Sequence, residues 1–296
     1  MPRRRMTFCF TERQGDGSLR PEARGGSSFP VLPGVRFGRN GVARRKKILW
    51  GFSLLIMILA ALAPARAQDL LEQGLAAKKA KEYDKAVELL GNYLKKYPHT
   101  PEAWEARALS LAALGRGEEA LRDLDMGLTY NSKNISLMMA KGKILAEMER
   151  RQDAIAAFSQ VLALDPGNTE ALKERAENLI QEGQAYQAIL DLNRAITLAP
   201  ADPWSYHKLG MAELCLNHFR EAAEAMSTAI RLSPQTALFY FARGEIYLRH
   251  LDDREKAKAD FKKGCDLGHP LCCRELELLA ARKSEEETST KPGKGN

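Results

Sequence analysis

An all-α solenoid of about six stacked helical hairpins, closed by one C-terminal capping helix, is the fold that three features of this sequence predict. Alanine recurs every 34 residues at Ala86, Ala120, Ala154, Ala188 and Ala222, and Ala257 follows one residue late. Each is followed four residues on by a large apolar side chain: Leu90, Leu124, Phe158, Leu192, Met226 and Phe261. Twelve residues before these alanines stands a small residue, at Gly74, Ala108, Gly142, Ala176 and Gly210, and Gly244 continues the step; twelve residues after most of them comes Pro98, Pro166, Pro200 or Pro234. Ser132 and His269, the latter followed by Pro270, take the proline's place in the other two units.

The chain begins differently. Residues 1–41 are rich in Arg, Gly, Pro and Ser and carry neither a helical nor a strand period. They are either a disordered extension or upstream of a true start near Val42. Residues 42–67 have the layout of a secretory signal. A basic block from Arg44 to Lys47 precedes a 16-residue apolar run from Ile48 to Ala63, and Ala65 and Ala67 form the A-x-A pattern of a cleavage site. The run is short for a spanning helix, which wants about 20 apolar residues. Cleavage after Ala67 is therefore expected, with an uncleaved anchor as the alternative. Charge follows the same division: 13 of the 45 basic residues but only three of the 38 acidic ones lie in the first 67 positions. The formal charge of +7 belongs to this leader, and the remainder is slightly acidic. A nucleic-acid partner is disfavoured for that remainder, because such affinity rests on an excess of phosphate-neutralising cations.

From residue 67 onward, six units are expected at 67–100, 101–134, 135–168, 169–202, 203–236 and 237–270. Each holds two segments with apolar residues at helical spacing, joined by a short turn. Small residues on the first segment let the second approach closely. Proline lacks the N–H needed to continue the second helix and so ends it. One hairpin cannot bury its apolar face alone, whereas a stack can. This pattern resembles the tetratricopeptide repeat, whose signature is carried by Trp104, Ala108, Leu111, Ala120 and Leu124. The resemblance implies a right-handed superhelical solenoid that binds a protein or peptide partner. Three departures stand out: Gln73, Glu213 where the family prefers a large apolar residue, and one inserted residue near Asp252.

After Pro270, residues 271–282 read as an amphipathic capping helix with Cys272, Leu276 and Leu279 on one side, and residues 283–296 as a disordered tail. Cys265, Cys272 and Cys273 flank the turn before this helix. Resemblance to the cysteine-rich relatives of the family implies a bridge between Cys265 and Cys273; free thiols and a Cys265–Cys272 bridge remain open. His269 with these cysteines supplies zinc-ligand types, but adjacent cysteines aim poorly at one tetrahedral ion. Cys215 is expected to be a small buried hydrophobe.

Rotation by about 100° per residue puts positions 4, 7, 8 and 11 of each unit on one face and positions 2, 5, 9 and 12 on a second stripe. In proteins similar to this one the first helix lines the inner side of the solenoid. The second stripe then nominates Met139, Lys143, Lys173, Glu177, Trp204, His207, Met211, Leu238, Phe241 and Glu245 as a partner-binding groove. Relatives that clamp a chaperone's terminal carboxylate use an asparagine at the ninth position. Here it is Leu75, Leu109, Lys143, Glu177, Met211 or Glu245, so that activity is not implied.

Catalytic signatures are missing from the sequence: there is no phosphate-cradling glycine loop, G-x-S-x-G, H-E-x-x-H or C-x-x-C. No cofactor and no metal are expected. The function expected is a non-enzymatic interaction scaffold, exported to the periplasm, with inner-membrane anchoring and self-association left open.

Overall fold

The computed structural model describes residues 68–289, with side chains to residue 281. The proposed leader, signal segment and cleavage site, and the last seven residues, lie outside this range. Every element of the described residues is helical. In order they are α1 (residues 68–79), α2 (Tyr83–Leu94), α3 (Pro101–Ala113), α4 (Gly117–Tyr130), α5 (Ile135–Glu147), α6 (Arg151–Leu164) and α7 (Thr169–Gln181). There follow α8 (Ala185–Leu198), α9 (Pro203–Cys215), α10 (Phe219–Leu232), α11 (Ala237–Arg249), α12 (Arg254–Asp266) and α13 (Pro270–Ser289).

Local chemistry punctuates the helices. Asn134 and Asn168 cap α5 and α7, each side-chain oxygen accepting a backbone N–H at 2.9 Å from Leu137 and Ala171 respectively. Pro101 and Pro203 open α3 and α9, where a missing N–H costs nothing. Within each hairpin the turn passes through one left-handed residue: Lys81, Gly115, Glu149, Gly183 and Asn217, 34 apart, and then Asp252. The inserted residue thus lengthens the α11–α12 turn to four residues and leaves both helices intact.

The core is the periodic set. All six alanines and the six large residues that follow them have no measurable exposure. The small residue on the first helix is a steric requirement: a Cβ on Gly142 would lie 2.5 Å from the Phe158 ring, and one on Gly244 would lie 2.7 Å from the Phe261 ring. Where the partner is the smaller Leu124 or Leu192, the facing residue is alanine, Ala108 or Ala176, whereas in the first hairpin Gly74 faces Leu90 and a Cβ there would lie 2.7 Å from it.

First helices touch one another along the stack, α3 with α5, α5 with α7 and α7 with α9, while second helices have no comparable mutual approach. The first helices therefore lie on the tighter, inner side. The helix after Pro270 packs on α12, with Cys272 in one buried cluster with Ala257 and Phe261 and with Leu276 and Leu279 packed against that cluster. It continues to Ser289, seven residues beyond the expected end of the capping helix at residue 282. Lys283 and Glu285 to Glu287 are strong helix formers, which suits this continuation. One further expectation changes, and one departure from the repeat pattern finds its partner. Cys215 is exposed, because it follows the exposed Met211 by four residues and shares its face. Glu213, which stands where the family prefers a large apolar residue, accepts a 2.8 Å hydrogen bond from His218 Nδ1 across the turn.

Candidate binding face of the first helices

The inner face changes character along the stack. On α5, α7 and α9 it is a lattice of ion pairs. Lys143 meets Glu170 at 3.3 Å; Lys173 meets Glu170 at 3.3 Å and Asp202 at 3.1 Å; Lys208 meets Glu177 at 2.5 Å. Burial alone would lower the Lys173 ammonium, but the hydrogen bond and charge of Asp202, with Glu170 behind them, outweigh it and hold Lys173 above its ordinary range. Burial raises the Glu174 carboxyl, against the pull of Lys208 and Lys143. The charges here are thus largely spent on one another.

Toward α9 and α11 the face turns apolar. Trp204 has 46% of its surface exposed, and Met211 and Leu238 are exposed as well. The Trp204 ring stands edge-on to Phe239, 5.1 Å between centroids, and to His207, 5.7 Å, while His207 lies 5.3 Å from Phe239. Burial lowers the His207 imidazole below its ordinary range, with repulsion from Lys208 adding to the effect and Glu177 opposing it. The imidazole is therefore neutral at pH 7 and acts as a flat, weakly polar neighbour of the indole.

The nominated residues divide accordingly. Lys143, Lys173 and Glu177 belong to the ionic lattice, and Met139 is half-buried against neighbouring core clusters. Trp204, His207, Met211 and Leu238 contribute to the apolar stretch. Phe241 goes elsewhere: it packs on Phe261 and stacks on His269 at 4.9 Å, so its ring belongs to the junction with α12 and α13. Glu245 pairs with Arg249, which also approaches Glu275 of α13 at 3.9 Å. At the same junction the Cys265 and Cys273 sulfurs lie at bonding distance, with Cα atoms 4.8 Å apart. Cys272 is buried, and burial, with Asp260 and Glu245 nearby, pushes its thiol up to about 11. A thiol held protonated in this way is a poor nucleophile.

Several residues of consequence were not singled out by sequence. Phe239, wholly buried beneath Trp204 and His207, is one. A second set is a buried relay in alternate units. Arg107, Arg175 and Arg243 each donate Nε and Nη2 to an aspartate of the same hairpin, Asp123, Asp191 and Asp260. Arg175 and Arg243 also donate Nη1 to a serine of the preceding unit, Ser159 at 3.0 Å and Ser227 at 2.8 Å. The 68-residue spacing of these arginines is plain in the sequence once the contact is known.

Comparison with known proteins agrees with this architecture. The tetratricopeptide repeat family model matches residues 71–128, 139–203 and 207–262, more than half of the chain. Tetratricopeptide repeat protein 6 of Homo sapiens is 27% identical over 172 residues, 57% of this chain and 33% of that protein. DnaJ homolog subfamily C member 7 of Homo sapiens is 25% identical over 255 residues, 78% of this chain and 50% of that protein. The chain thus spans a third to a half of the length of these relatives. Among solved structures, MamA (41-end) from Desulfovibrio magneticus RS-1 superposes with a TM-score of 0.52 at 26% identity, covering 56% of this chain and 94% of that one. The chain therefore belongs to the tetratricopeptide repeat family, whose members generally mediate protein–protein interaction.

Proposed function

We propose that this protein is an exported, non-enzymatic scaffold that holds a protein or peptide partner against the inner face of α9 and α11. The observation that carries the reading is the exposure of Trp204, Met211 and Leu238 on first helices, beside a stretch whose charges are already paired. An exposed tryptophan backed by a buried ring is a rigid, preformed anchor, the kind of residue that dominates recognition energy. The mechanism is equilibrium binding to a preformed surface. A partner captured by the wild-type protein should be lost from a Trp204→Ala, Met211→Ala variant that melts as the wild type does. Retention of the same partners would remove the assignment.

Export is the second part of the proposal. It rests on the basic block, the short apolar run and the A-R-A site of residues 42–67. An intact mass beginning at Gln68 is the expected result. A mass that retains the apolar run would favour the alternative, in which the segment tethers the protein as a membrane-bound assembly component. In an oxidising compartment Cys265 and Cys273 would form a bridge. Two fewer alkylatable thiols before reduction than after it is the signature to seek.

A further inference from the structure

At two outward positions, one helical turn apart near the start of each second helix, the residues are polar or small everywhere but on α8. Asp84 and Glu88 on α2, Glu118 and Arg122 on α4, Gln152 and Ala156 on α6, and Arg220 and Glu224 on α10 occupy equivalent places. On α8 the pair is Tyr186 and Leu190, each 70% exposed, one helical turn apart. Arg194 continues the stripe by another turn, exposed and without an ion-pair partner among the described residues. Nothing in the hairpin requires this stripe, since the buried positions of α8 are filled by Ala188, Asp191, Leu192 and Ala195.

A second exception lies two units away. The second helices α2 and α4 leave a cleft of about 490 Å³ between them, floored by Trp104 and Arg107 and rimmed by Glu88, Gly91, Met126 and Tyr130. The next cleft, between α4 and α6, is lined instead by charges such as Glu118, Arg122, Asp125 and Asp153. Gly91 stands where Ser159 and Ser227 stand in later units. With no serine to receive it, Arg107 directs Nη1 at the cleft, 3.2 Å from where a Cβ on Gly91 would be, while Nε and Nη2 are held by Asp123. The arginine's charge is already balanced by Asp123, so the cleft offers the exposed apolar surface of Met126 and Tyr130 and one donor suited to a neutral acceptor. Glu88 adds a carboxylate at the rim.

We propose that the two exceptions fit each other: the Tyr186–Leu190–Arg194 stripe of one copy seats in the α2/α4 cleft of a second copy. The Tyr186 ring lies against Met126 and Tyr130, over the Arg107 guanidinium that covers Trp104, its phenol oxygen accepts from Arg107 Nη1, and Arg194 pairs with Glu88. Stripe and cleft are different patches, so the contact is heterologous and each pair of copies leaves one stripe and one cleft unused. Association therefore proceeds head to tail. The aromatic contributes about 150–250 Å², far less than the roughly 800 Å² per partner of a standard stable interface, so the contact is weak and concentration-dependent. It lies on the side of the second helices, with α3 supplying the cleft floor, and is separate from the binding face of α9 and α11.

Sedimentation velocity of the full chain across roughly 1 to 100 μM, the range of weak association, tests this. The mass average should rise with concentration. Tyr186→Asp and Met126→Glu, both at exposed positions, should each weaken association at least tenfold. An equimolar mixture of the two variants should form dimers and stop there, because one copy retains the stripe and the other the cleft. A wild-type chain that stays monomeric overturns the proposal. So does a Met126→Glu chain that associates as the wild type does, which would mean that α8 stripes pair with one another, and so does a variant mixture that stays monomeric.

Discussion

His207 shows how one side chain can report on the binding face. Folding buries it between Trp204, Phe239 and Lys208, so the folded chain takes up a proton there less readily than the unfolded chain, whose imidazole titrates near 6.5. Below that value the unfolded state binds the extra proton and gains relative stability. Stability should therefore fall as pH drops from 7 to 5, and His207→Phe should flatten the slope, as measured by denaturant melts at each pH. The buried arginines give a second prediction at this scale. Asp260→Ala leaves the Arg243 guanidinium without two of its acceptors and should cost about 3 kcal/mol. The double change Arg243→Met, Asp260→Leu should recover most of it, which a double-mutant cycle would show. Neither environment was legible in the sequence. Charged residues within helices are most often solvated, and only the contact across 16 or 17 residues shows that these are not.

At the scale of the helices, the hairpin is a matched pair of sizes. Gly142 exists because Phe158 needs the space, so Gly142→Ala should cost about 1–3 kcal/mol through overpacking. Adding Phe158→Leu recreates the Ala108–Leu124 and Ala176–Leu192 pairing, and the double variant should lose less stability than the sum of the single changes. Comparative melting decides this. The cap is governed by a different device. If Cys265 and Cys273 are bridged, replacing both by serine should destabilise α13 against α12 by roughly 2–3 kcal/mol, the loop-closure value for so short a ring. Hydrogen exchange should show the loss at α12 and α13, with α3 to α6 unchanged, because each unit contacts only its neighbours. The helices themselves were legible because the small and large positions repeat under a packing constraint. The reach of α13 to Ser289 was not, since polar composition argues for a tail while the helix propensity of lysine and glutamate argues the other way.

For the whole molecule, curvature decides which surface is available. First helices touch from α3 to α9, and α9 meets α11 through Trp204 and Phe239, whereas second helices stand apart, so one face is an inner wall and the other a row of separate ridges. The 34-residue period made the stack legible and put Trp204, Met211 and Leu238 on one helical stripe. It could not distinguish Phe241 from them, because whether a stripe residue faces the groove depends on what packs at the end of the stack, here His269 and Phe261. The central claim is that partners are recognised on this inner wall at α9 and α11. A benzophenone side chain introduced at Met211, irradiated in cells, tests it most directly, with the same probe at Arg220 on the outer surface of α10 as the comparison. The Met211 probe should give an adduct with another protein that disappears in a Trp204→Ala background, and the Arg220 probe should not give that adduct. Capture of the same protein from Arg220, or a Met211 adduct indifferent to Trp204→Ala, would contradict it.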